Sequence, residues 1–220
     1  MKEAVILVHG IWLNGAEMWR LKRRLNDEGY LCHTFKYSST RQSPEQNAQR
    51  LHSFAQTIQA PVIHFVCHSL GGLILLHLFD LHPLQAPGRI VLLGSPVNGS
   101  AVAQRLYKRK ITRWTLGRSV EHGLLGDRPK WFRCRDLGVI AGTLPLGVGM
   151  LIGGLKTPHD GSVSVDETML KGATDAITLA VSHQGLLLST DVATQVVTFL
   201  RAGKFGDEIM NMIGVLDPTA

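Results

Sequence analysis

The sequence predicts an α/β fold: a mostly parallel sheet of about six strands with helices on both faces. Short apolar, β-prone runs alternate with helical patterns along the chain, and no linker-like change of composition interrupts them. At 220 residues the chain is long enough for one well-packed unit and too short for two ordinary ones, so 1–220 is expected to be a single domain.

The elements follow in order. Ala4–Val8 is a β-prone run, and Glu17–Glu28 carries Met18, Leu21 and Leu25 at helical spacing with Trp19 beside them. Leu31–Tyr37 reads as a second strand. Ser43, Pro44 and Glu45 open a helix with an N-cap hydroxyl, a first-turn proline and a carboxylate near the positive end. Val62–Val66 is a third strand, and the almost wholly apolar Leu70–Leu81 a buried helix. Arg89–Leu93, Leu137–Ala141 and Ala176–Ala180 supply three more strands, and a helix from about Asp191 to Ala202 stops at Gly203. Residues 101–135 form a cap-like insertion between the fourth and fifth strands. The 204–220 tail carries no readable pattern.

Composition narrows the function classes. Hydrophobic content of 45% with 18% charged residues excludes a disordered chain. Cys32, Cys67 and Cys134 are odd in number and form no CxxC pair, which excludes a disulfide framework or a structural zinc site. With an N-terminal apolar run too short for a signal peptide, this predicts a cytoplasmic protein. Leu137–Leu155 is uncharged and long enough to span a membrane, but its six glycines and Pro145 read instead as a strand entering an apolar loop. The net charge of +6 is concentrated in 101–135, where ten Lys and Arg face only Glu121 and Asp127. This would suit a solvated cap or an anionic lipid surface. Nucleic-acid binding would need a recognisable module with interleaved stacking residues, and nucleotide binding a G-x-G-x-x-G or P-loop after the first strand; neither pattern is there.

The most informative stretch is Val62-Ile63-His64-Phe65-Val66-Cys67-His68-Ser69-Leu70-Gly71-Gly72. It puts a serine on a tight turn between a β-branched strand and an apolar helix, the setting of a nucleophile elbow. There a strained turn lifts the hydroxyl above the sheet, and the amide of Leu70 at the helix N-terminus faces the place where an oxyanion forms. Cys67 stands where the G-x-S-x-G pattern has its first glycine. Val8-His9-Gly10-Ile11 ends the first strand, and Gly10 would leave the Ile11 amide free as a second oxyanion donor.

A serine hydroxyl needs a base, and the base needs an orienting acid. Among ten histidines His183 is distinctive, because Val181-Ser182-His183-Gln184-Gly185 lies between the last strand and the last helix, at the carboxyl end of the sheet. His159 is a rival. Thr157-Pro158-His159-Asp160-Gly161 is a turn-rich loop presenting Asp160, with Asp166 and Glu167 as competing acids. The chain order Ser, Asp, His matches the order expected of such an elbow fold.

Taken together, VILVHGI, FVCHSLGG, PHDGSVSVDET and VSHQGLLLS resemble segments of small bacterial α/β-hydrolases of the lipase and esterase type, over nearly the whole chain from Ala4 to about Phe205. The resemblance implies an α/β-hydrolase fold, a serine hydrolase acting on carboxylic esters, a Ser69–Asp160–His183 triad, an oxyanion hole of the Ile11 and Leu70 amides, and no metal or cofactor. It also implies that the loop from Gly94 to Ser100 borders the pocket. Cys67 departs from the elbow pattern, and the antiparallel strands that open larger members have no counterpart before Ala4, so a minimal version is expected. Trp12, His68, Pro96, Leu144 and Leu146 are the expected substrate contacts. The apolar 144–155 loop and the insertion near Leu106, Tyr107, Ile111 and Trp114 are expected to line a pocket suited to an acyl ester or lipid. A thioesterase or amidase, and a non-catalytic lipid- or partner-binding protein on the same fold, are the alternatives.

Overall fold

The computed structural model describes residues 2–147 and 149–206. Six strands form one sheet: β1 (Ala4–Val8), β2 (Leu31–Phe35), β3 (Ile63–His68), β4 (Ile90–Leu93), β5 (Leu137–Gly142) and β6 (Asp175–Leu179). Their order is β2-β1-β3-β4-β5-β6, and every pairing is parallel. Parallel neighbours require crossovers, and a sheet covered on both faces requires apolar residues on both sides of each central strand. β1 shows this residue by residue. Ala4, Ile6 and Val8 enter the core shared with α2 (Pro44–Gln56) and α3 (Leu70–Leu81), whereas Val5 and Leu7 enter the core shared with α1 (Trp19–Asp27) and α9 (Thr190–Ala202).

Local chemistry sets the helix boundaries. The Ser43 hydroxyl accepts from the Gln46 amide while the Gln46 side chain accepts from the Ser43 amide, a reciprocal cap that starts α2 with Pro44 in its first turn. α9 ends where Gly203 turns left-handed. α3 packs almost flush on the end of β1: a Cβ on Gly71 would lie 2.5 Å from the Val8 carbonyl oxygen. Only glycine allows that approach.

Between β4 and β5 the chain forms α4 (Ala101–Lys108) and α5 (Lys110–Leu116), then a 3-10 turn at Gly117–Val120. Short helices α6 (Gly149–Ile152) and α7 (Val165–Thr168) follow β5, and α8 (Gly185–Leu188) precedes α9. The uncharged 137–155 stretch is therefore a buried strand, a loop and one helical turn. Among the described residues no helix is long and apolar enough to cross a membrane. Of the tail, 204–206 continue from α9, with Phe205 buried against Phe199, and 207–220 lie outside the described residues.

After β2 the chain returns to the other side of β1, so the order reverses between β1 and β3. There the carboxyl ends of two adjacent strands, paired Val8 to Cys67, open a crevice.

Candidate active site

That crevice holds Ser69. The residue sits at φ 53°, ψ −121°, between the last residue of β3 and the first of α3. Positive φ is strained for serine and places its hydroxyl clear of the sheet. Cys67 causes no conflict because it is still inside β3, fully buried in the apolar core on the α3 side. The thiol's burial raises its pKa well above the ordinary value and keeps it neutral.

Asp160 and His183 meet beside the serine. Asp160 Oδ2 and His183 Nδ1 lie 2.6 Å apart, and the carboxylate is 1% exposed. Its other oxygen, Oδ1, accepts the amides of Ser162 (2.9 Å) and Val163 (2.7 Å). The backbones are joined as well, the His183 amide donating to the Asp160 carbonyl at 2.9 Å. A fully satisfied carboxylate thus holds one imidazole nitrogen, fixes the tautomer and leaves Nε2 without a partner among the described residues. Ser69 and His183 line the same cavity, although no hydrogen bond joins them in this structure. The loop after β4 makes room for the pair. Gly94 has φ 55°, and a Cβ there would stand 3.1 Å from both Asp160 Oδ2 and His183 Nδ1.

The competing groups have other work. His159 Nδ1 accepts the Gly161 amide. Glu167 caps α7 through Ser164 and also accepts the Ala101 amide at 2.6 Å, tying α7 to the start of α4. Asp166 is solvent-exposed.

Ile11 lines the cavity with Ser69, Leu70 follows Ser69 as the first residue of α3, and neither amide has a hydrogen-bond partner among the described residues. The turn carrying Ile11 is held at three points. The Tyr37 hydroxyl donates to the His9 carbonyl (2.6 Å) with the two rings stacked, the Trp12 amide donates to Ser39 Oγ (3.0 Å), and the Trp12 indole donates to the Thr115 carbonyl of α5 (2.7 Å).

The cavity over Ser69 has a volume of about 170 Å³. Trp12, His68 and Pro96 line it as expected, and Leu106 does so from the insertion. Leu144 and Leu146, expected at the pocket, do not line it. The Leu146–Gly147 backbone lies against Gly161, leaving no space for a Cβ there, and the leucine side chains point to solvent. Tyr107, Ile111 and Trp114 also lie outside the lining; all three are exposed. Gly149 and Ile152 line it from the apolar 144–155 loop, whereas sequence reasoning missed Val102, Ala103, Leu116, Leu124 and Val163, which also line the cavity. The buried i, i+3 pair Ala103 and Leu106 was the one signal available for them.

His68 takes a part that its sequence position did not disclose. Its Nε2–H donates to the His183 carbonyl (3.1 Å), the two rings lie 4.6 Å apart, and burial, reinforced by His183, holds its pKa well below the ordinary value. A neutral His68 adds no charge beside the His183 ring.

This fold and this grouping define an α/β-hydrolase. A sequence profile described as the alpha/beta hydrolase family matches residues 5–202, and the chain belongs to that family. Solved structures agree at the level of fold. The mature lipase BlEst2 of Bacillus licheniformis superposes with a TM-score of 0.67 at 18% identity, over 90% of each chain. An esterase (EaEST) of Exiguobacterium antarcticum gives 0.62 at 14%, covering 91% of this chain and 92% of the other. The carboxylesterase CesB of Bacillus subtilis gives 0.61 at 13%, with 92% and 84% covered. No curated protein matches by sequence.

Proposed function

We infer that the protein is a serine hydrolase of carboxylic esters, with Ser69 as nucleophile, His183 as base and Asp160 as orienting acid. The observation that carries this is the buried 2.6 Å Asp160–His183 contact beside a strained serine in one apolar cavity. His183 Nε2 takes the Ser69 proton as the hydroxyl oxygen attacks the ester carbonyl. The Ile11 and Leu70 amides receive the developing oxyanion. The tetrahedral intermediate collapses, the alcohol leaves with the proton from His183, and water activated by His183 releases the acid. The structural neighbours named as lipase, esterase and carboxylesterase support the ester class.

The acyl group occupies the cavity walled by Ala103, Leu106, Leu116 and Leu124. An engineered apolar cavity of about 150 Å³ accepts benzene, so 170 Å³ suits an acyl chain of roughly six carbons. In this reading residues 101–135 form a cap on a single hydrolase unit.

Wild type and Ser69→Ala assayed on p-nitrophenyl esters of graded acyl length test this. Expected is hydrolysis by wild type with an optimum at short to medium chains, and loss of several orders of magnitude in the variant. Full activity in Ser69→Ala removes the serine mechanism; silence of wild type on esters with activity on thioesters moves the reading to thioester hydrolysis.

A further inference from the structure

The insertion carries apolar side chains that the cavity does not use. Ile111 is 85% and Trp114 75% exposed, three residues apart on α5, and Leu151 on α6 is 92% exposed. Met150, next to Leu151, and Leu146, five residues before it, are also exposed. The helices that carry these groups wall one cavity. Leu116 of α5, with Gly149 and Ile152 of α6, lines the cavity over Ser69, and Arg105 of α4 donates to the Ile152 carbonyl. Exposing this much aliphatic and indole surface on two helices that wall one cavity is unfavourable in water unless something covers it.

The charges say what covers it. Lys108, Arg109, Lys110 and Arg113 surround Ile111 and Trp114 in sequence, all exposed, and none forms an ion pair among the described residues. Farther along, Arg118 is already neutralised by Glu121. No Asp or Glu occurs in 101–120 or in 137–159. A second copy of this face would set four cations against four. An apolar cluster with an indole, interleaved with cations that can reach upward to phosphates, matches an anionic phospholipid bilayer.

We propose that the α5–α6 rim docks the protein on anionic phospholipid membranes, with the mouth of the Ser69 cavity against the bilayer. Ile111, Trp114 and Leu151 enter the headgroup boundary, and the four cations pair with lipid phosphates. Binding itself is independent of the ester-hydrolase reading; the benefit of bringing the cavity mouth to lipid rests on it.

Sedimentation with vesicles tests the proposal, using Ser69→Ala protein so that lipid is not consumed. Expected is partition onto phosphatidylglycerol-containing vesicles, little onto pure phosphatidylcholine, and weakening in about 0.5 M salt. Adding Arg109→Gln, Lys110→Gln and Arg113→Gln should weaken binding roughly a hundredfold, at about 1 kcal/mol for each cation near the surface. Ile111→Ser with Trp114→Ser should weaken it at any salt. In the Ser69 background of wild type, all these variants should hydrolyse soluble p-nitrophenyl butyrate at the unaltered rate, since none of these side chains lines the cavity. Equal partition onto both vesicle types, or triple-variant binding as tight as that of its parent, overturns the proposal. Hydrolysis of the soluble ester without vesicle binding sinks the docking alone, and vesicle binding without hydrolysis sinks the catalytic reading alone.

Discussion

At single residues the site is built from contacts that tolerate little change. Asp160→Asn would keep the shape but replace an acceptor that fixes the His183 tautomer, so kcat is expected to fall by about 10⁴-fold with KM little altered. Steady-state kinetics on a soluble ester checks it. Gly94→Ala adds no charge, yet its Cβ would press on Leu186, Asp160 and His183 at a left-handed φ. The backbone alone costs about 1–2 kcal/mol there, and activity should drop with it; melting and kcat measured on the same preparation would show both. His68→Phe removes the donor to the His183 carbonyl and leaves that acceptor buried and unpaired. A stability loss of about 1–3 kcal/mol is expected, with kcat falling more than KM rises if the imidazole loses its position.

Among the elements, the 101–135 segment walls much of the cavity. Leu124 lies on the insertion and is buried against the space above Ser69. Leu124→Ala should lengthen the preferred acyl chain by two or so carbons, at a stability cost of about 2–3 kcal/mol; the graded ester series reads the shift directly. Unchanged chain preference would mean that the acyl group lies elsewhere. This scale also separates what the sequence discloses from what it does not. β1, β3, α3 and the Ser69 turn are legible because each is imposed by the backbone: runs buried on both faces, and glycines where α3 touches β1. α4 and α5 give about two turns of helix each, too short for a periodicity to stand out. Leu144 and Leu146 mislead for a different reason. Apolar composition says that a loop can be buried, but the side-chain direction comes from how the Leu146–Gly147 backbone meets Gly161, 15 and 14 residues later, which no local pattern encodes. The placement of Ser69 and His183 is legible because each comes directly after a strand, and that of Asp160 because its loop lies between β5 and β6; most of the apolar lining is not, because it comes from helices packed over the sheet.

For the molecule as a whole, buried histidines decide the response to acid. His9, His64, His68 and His77 are all held below their ordinary pKa chiefly by desolvation. In the unfolded chain each takes a proton near pH 6.5, so below that pH the unfolded state binds more protons than the folded one. Their contribution to stability is therefore intact above about pH 6.5 and is lost as pH falls toward the depressed folded values, by at most about 1.4 kcal/mol per pH unit for each histidine. Thermal midpoints taken from about pH 7 down to about pH 5 should decline, and His68→Gln should flatten that slope. A midpoint independent of pH over this interval would contradict the burial of these rings.

The link from the Trp12 indole to the Thr115 carbonyl has an optical consequence. It joins the turn bearing Ile11 to α5, and the same indole forms part of the wall above Ser69. A fluorophore is thus already built into the entrance, with its emission sensitive to whether its N–H is engaged and whether water or acyl chain lies against its ring. Carbamoylation or phosphonylation of Ser69 by a slow carbamate or phosphonate could be followed as a change in intrinsic emission, with Trp12→Phe as the control, and the protein would report its own occupancy without a label.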